Sequence, residues 1–94
     1  MTILHIQHST GDYERWKAMF DSDPVGRKKS GVGHYRIVRA ADDPNLVMVD
    51  LELGTRAEAE AMLAALQEMW KEVPGDLIQQ PSGRIYEVAE AADL

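Results

Sequence analysis

Apolar and polar residues alternate over residues 2–8 (TILHIQH), with Leu4 and Ile6 on one side and Ile3, His5 and Gln7 on the other. Period two predicts a β-strand with one face buried. Ser9-Thr10-Gly11-Asp12 breaks the pattern, and Asp12 is suited to cap a helix starting at Tyr13. Tyr13, Trp16 and Phe20, with Met19 beside them, then recur at helical spacing as one aromatic stripe. Asp23-Pro24 repeats the start signal and predicts a short second helical turn reaching about Lys29, before Ser30-Gly31. Residues 33–41 (GHYRIVRAA) read as a second strand, Asp42-Asp43-Pro44-Asn45 as a turn, and residues 46–53 (LVMVDLEL) as a third strand. The short spacing makes these two strands a hairpin. Thr55-Arg56-Ala57-Glu58 is a capping box. Behind it, Ala59, Met62, Leu63, Leu66, Met69, Trp70 and Val73 mark one side of a helix that Pro74-Gly75 ends. After a polar link at residues 79–82, residues 83–89 (GRIYEVA) form the last strand, and the acidic tail 90–94 is expected to fray.

The order β-α-β-β-α-β predicts an α+β, ferredoxin-like domain spanning residues 1–94: a four-stranded antiparallel sheet with both helices on one face. In the third strand Val47, Val49, Leu51 and Leu53 must lie under the helices. Leu46, Met48, Asp50 and Glu52 then occupy the open face with Ile3, His5 and Gln7. Strand two is less determined. A four-residue loop at 42–45 sets Ala41 opposite Leu46 and sends Tyr35, Ile37 and Arg39 to the open face. A one-residue bulge would send His34, Arg36 and Val38 there instead. The loop reading is preferred, and either one brings an arginine beside Asp50 and Glu52.

Composition narrows the functions available. At 94 residues the chain buries only about 60–65% of its unfolded surface, so a partner over the open face would help it substantially. The net charge of −6 disfavours general nucleic-acid binding. No apolar run approaches the ~20 residues of a membrane span, and the N-terminus lacks the basic flank and cleavage-like segment of a signal peptide. With no cysteine in the chain, a cytoplasmic location is expected. Arg27, Lys28, Lys29, Arg36 and Arg39 are five of the ten basic residues. They read as a solvated edge, with a landing site for an anionic ligand as the sharper alternative.

Helix-one Trp16 and Phe20, Gly31-Val32-Gly33 leading into strand two, the turn at 42–45 and the capped helix at Thr55 together resemble the dimeric α/β-barrel superfamily. That group contains the antibiotic-biosynthesis monooxygenases, small polyketide cyclases and muconolactone isomerases. The resemblance spans nearly the whole chain as a pattern of elements and specifies no reaction. It implies a homodimer in which two open faces meet as a barrel. Ligands would lie between sheet and helices or inside the barrel.

His5, Asp50 and Glu52 are the candidate catalytic set, since a histidine beside a carboxylate can take a proton from carbon next to a carbonyl. Charge pairing at a dimer interface explains the same residues. Gln7, Tyr35, Arg39 and Met48 are the candidate ligand-binding residues of that face. No cofactor or metal is expected: His5 and His8, three apart on a strand, point to opposite faces, which leaves only His5 with Asp50 and Glu52 as an alternative ligand set. Trp16, Trp70, Met62 and Met69 read as core.

Relatives of this topology that bind RNA need stacking aromatics on the central strands and a basic glycine-rich motif, but strand three has no aromatic and the motif is missing. Those that carry metals or cleave acyl phosphates need two cysteines or a loop arginine after strand one, and the chain has neither. Two functions remain. One is a homodimer that binds a small hydrophobic or anionic molecule, or a partner protein, without catalysis. The other is a cofactor-free monooxygenase or cyclase. A reachable cavity where His5 and a carboxylate converge would favour the enzyme.

Overall fold

Strand alternation and two capped helices produce the architecture of the chain, which a computed structural model describes from Met1 to Leu94. The elements are β1 (Thr2–Ser9), α1 (Tyr13–Asp21), β2 (Val32–Ala40), β3 (Asp43–Leu53), α2 (Arg56–Trp70) and β4 (Gln79–Glu87). They make one antiparallel sheet of order β2-β3-β1-β4 in the ferredoxin-like βαββαβ arrangement.

Both helix starts follow their local sequence. Asp12 accepts the backbone N–H of Arg15, and Thr55 and Glu58 form the reciprocal capping box. Helix α2 stops at Trp70 rather than Val73. Val73 precedes Pro74, whose ring disfavours helical backbone at the residue before it. Residues 23–31 make separate turns instead of a second helix: Gly26 and Gly31 have φ of 65° and 101°, which interrupt helical backbone. Gly31 also runs so close to the Glu58 carboxylate that a side chain there would collide with the capping box.

The covered face is built as the alternation requires. Leu4 and Ile6 of β1 and Val47, Val49, Leu51 and Leu53 of β3 are all buried, under Trp16 of α1 and Ala59, Met62 and Leu66 of α2. Each such aliphatic side chain contributes about 1.5–3 kcal/mol relative to an exposed one. Gly83 of β4 lies opposite Ile6 and beneath Leu63, whose Cδ1 sits 2.5 Å from where a Cβ would be. Strand β4 starts at Gln79, four residues before its apolar alternation begins. A register shift between Gln7 and Ser9 and a positive φ at Gln80 let the polar residues join the ladder.

Strand two corrects the loop reading. Arg36 pairs with Asp50, His34 with Glu52 and Val38 with Met48, so His34, Arg36 and Val38 occupy the open face. Tyr35, Ile37 and Arg39 lie on the helix side, opposite Leu51, Val49 and Val47. The cause is at the hairpin end. The turn is only Ala41-Asp42, while Asp43-Pro44-Asn45 enters β3 through a register shift between Arg39 and Ala40. Pro44 has no N–H to give a ladder, which suits an irregular position, and its carbonyl accepts Arg39 Nε at 2.8 Å. Aromatic contacts hold the helix-side residues: Tyr35 meets Phe20 edge-on at 5.1 Å, and the Arg39 guanidinium covers Tyr13 at 4.0 Å.

Candidate functional site

The two faces of the sheet carry different chemistry. On the open face, adjacent central strands set His5 directly opposite Asp50. His5 Nδ1 donates to Asp50 Oδ1 at 2.6 Å, and Arg36 donates to the other carboxylate oxygen at 3.1 Å. His34 Nδ1 lies 2.5 Å from Glu52 Oε2. Burial opposes ionisation of Asp50 and is its largest single influence. The hydrogen bonds and charges of His5 and Arg36 together outweigh it and hold the carboxyl below its ordinary range. Tyr86 of β4 meets the His5 ring edge-on at 6.1 Å.

Of the predicted site residues, His5, Asp50, Glu52, Gln7 and Met48 share this face, although the two histidines divide the carboxylates between them. Tyr35 and Arg39 do not reach it, and Arg36 and His34 stand in their place. Around the polar cluster are half-buried Ile3, Leu46 and Met48 and the exposed side chains of Val38 and Tyr86. Only shallow grooves border His5 and Asp50 here.

A partly enclosed space lies on the other side of the sheet. A cavity of about 50 Å³ separates the sheet from the helices. Ile6, Val49 and Leu51 form its floor. Helix α1 contributes Trp16, Met19 and Phe20, and α2 contributes Met62, Leu66, Met69 and Trp70. The turns after α1 close its mouth, where Arg27 covers the Phe20 ring at 3.8 Å and its Nε lies 3.5 Å from Asp23 Oδ1. The tryptophans and methionines expected to be plain core therefore line a space as well.

One polar side chain stands among them. His8 is buried at 3% exposure beside Trp16, with ring centroids 5.1 Å apart. Its Nδ1 lies 3.2 Å from the Ser9 carbonyl oxygen, and its Nε2 has no hydrogen-bond partner in the protein. Burial pushes the imidazole below its ordinary pKa, against a smaller opposing effect of the Ser9 carbonyl. Alternation already places His8 with Leu4 and Ile6, so its side was readable from sequence. That it borders a cavity was not.

The basic residues between 27 and 39 do not converge on an anion site. Arg27 stacks on Phe20, Arg36 pairs with Asp50 across the sheet, and Arg39 stacks on Tyr13. No helix is long and apolar enough to cross a membrane.

No protein-family model and no curated protein matches the chain. Solved structures do match. SnoaB, a cofactor-independent oxygenase from Streptomyces nogalater, superposes with a TM-score of 0.75 at 10% identity, over 96% of this chain and 94% of its own. A Nitrosomonas europaea protein provisionally named an antibiotic biosynthesis monooxygenase gives a TM-score of 0.61 at 21% identity, over 96% and 100%. A dimeric ferredoxin-like protein from an uncultured marine organism gives 0.58 at 15% identity, over 99% and 97%. At these identities the likeness is one of fold. The chain has the ferredoxin-like fold of the antibiotic biosynthesis monooxygenase-type structures, in agreement with the resemblance of its sequence.

Proposed function

We propose that this chain is a binding protein: a homodimer joined through the open sheet face, which holds a small, mainly apolar molecule between sheet and helices without catalysis. The cavity carries the reading. Helix and strand side chains pack around it without filling it, whereas interiors of this size are usually packed to crystal-like density. Its walls are apolar, as small-molecule sites are. Met19, Met62 and Met69 are unbranched and adaptable, so the space can widen around a ligand. His5 and Asp50 converge outside it, on the opposite side of the sheet, which argues against a reaction inside the cavity that uses them. Two copies meeting through Ile3, Val38, Leu46, Met48 and Tyr86 would cover the half-exposed apolar side chains. They would also enclose the His5–Asp50–Arg36 cluster. The dimeric ferredoxin-like relative supports that assembly.

The test is a titration with toluene followed by the emission of Trp16 and Trp70, which both line the cavity. Saturable quenching, weakened when Leu66→Trp fills the space, supports the reading; a linear response unaffected by that change refutes it.

A second reading, a cofactor-independent oxygenase as SnoaB is named, is favoured by the 2.6 Å His5–Asp50 contact with Arg36 beside it. Oxygen uptake with an enolisable ketone such as 2-tetralone, lost in Asp50→Asn, would establish it.

A further inference from the structure

We infer that His8 Nε2 is the polar anchor of the cavity and selects ligands that donate a hydrogen bond from an uncharged O–H or N–H group. The inference rests on the cavity being the ligand site and adds what the ligand must carry.

Three observations lead to it. First, the tautomer is determined by the backbone. The Ser9 carbonyl only accepts, so the His8 nitrogen 3.2 Å from it, Nδ1, carries the hydrogen. In a neutral imidazole the other nitrogen then presents a lone pair. Burial disfavours the charged form of the ring.

Second, Nε2 is buried and the protein supplies no donor for it. Buried polar groups nearly always have partners, and one without a partner needs an explanation. Among the side chains of the cavity floor and the helix walls only the indoles of Trp16 and Trp70 carry an N–H, and neither is hydrogen-bonded to Nε2. The Trp16 ring packs tilted against His8, at 51° between planes.

Third, the surroundings choose the charge of the donor. Of the 16 residues lining the cavity 12 are hydrophobic, and the two charged ones, Asp23 and Arg27, face each other at the mouth. A cationic donor would be buried without a counter-charge, at a cost no single hydrogen bond offsets. An anion or a ketone has no hydrogen to give Nε2. A neutral hydroxyl or amine on an apolar body satisfies both the walls and the lone pair. At about 50 Å³ the space accommodates one small ring only after the methionines yield, so a single-ring ligand is the size to probe.

Phenol and toluene have nearly the same shape and differ in one donor. Phenol loses more hydration on entering, so its bare affinity does not report the contact. The change in the phenol-to-toluene affinity ratio between the native protein and His8→Leu does report it. A lone hydrogen bond to a buried acceptor predicts that this ratio falls about tenfold in the variant, with anisole behaving like toluene in both proteins. A readout that needs no variant is the nitrogen NMR spectrum of the His8 ring. In the free protein Nδ1 should show as protonated and Nε2 as unprotonated, and phenol but not toluene should shift the Nε2 signal. An unchanged ratio with toluene still binding overturns the anchor and leaves the cavity reading standing. An Nε2-protonated ring, or a shift from both ligands alike, also overturns the anchor. Failure of both ligands to bind overturns the anchor together with the cavity reading.

Discussion

The covered and open faces of this sheet come from the same strands, residue by alternate residue, yet they are built on different principles. In β3 the covered residues Val47, Val49, Leu51 and Leu53 are at most 3% exposed, while Leu46, Met48, Asp50 and Glu52 between them stay half-buried. One face gains its stability by removing apolar area from water. The other holds a carboxylate between a histidine and an arginine, an arrangement worth little where water reaches it and more where a partner excludes water. The comparison teaches that folding energy sits on one side of the sheet, while the other keeps the polar pairs that the proposed dimer would enclose. The covered face also carries the exception, His8, whose ring lines the cavity and whose buried Nε2 has no partner in the protein.

The largest effect should come from breaking the covered face. Leu51→Ala is expected to cost about 2–5 kcal/mol in urea unfolding, since the removed atoms leave a void that β3 cannot collapse to fill. A similar loss from Met48→Ala at the same concentration, with the dimer intact, would remove the contrast between the faces. Next is Met48→Lys. A charge placed among Ile3, Val38 and Tyr86 should weaken the dimer at least tenfold and yield a mass near 10.5 kDa rather than twice that by light scattering, with helix content unchanged. An unaltered oligomer would move the interface elsewhere.

The smallest effect sharpens the comparison through pH. His8 is held below its ordinary 6.5, so as pH falls through 6.5 the unfolded chain takes up that proton first and stability declines. Asp50 is held below 3.8, and its contribution is lost only as pH falls through that lower window, where the unfolded carboxylate protonates first. The urea midpoint should therefore drop in two stages. His8→Leu should remove the upper stage and Asp50→Asn the lower one. Loss of both stages in either variant would mean that the two faces titrate as one unit.

Much of this was readable one segment at a time. Asp12 and Thr55 announce the helix starts because capping is satisfied within four residues. The division of β1 and β3 into faces follows because a strand buried on one side can hide its apolar residues in only one phase. Strand β2 lacks that single phase: Tyr35, Ile37 and Arg39 on one side and His34, Arg36 and Val38 on the other are equally mixed. Its facing was left to the turn, and a two-residue turn with an irregular step at Arg39 reversed it.

What the sequence by itself determined is the order of elements, the resemblance to the barrel-forming fold, and the placing of His5 with Asp50 on one face and His8 on the other. Those properties depend on periodicity and on contacts between residues close in the chain. Tertiary structure alone decided the register of β2, the exchange of Tyr35 and Arg39 for His34 and Arg36, and the cavity bordered by His8. Each of these depends on how elements distant in sequence approach one another. A void is the space that several packed surfaces fail to fill, so no single one of them encodes it.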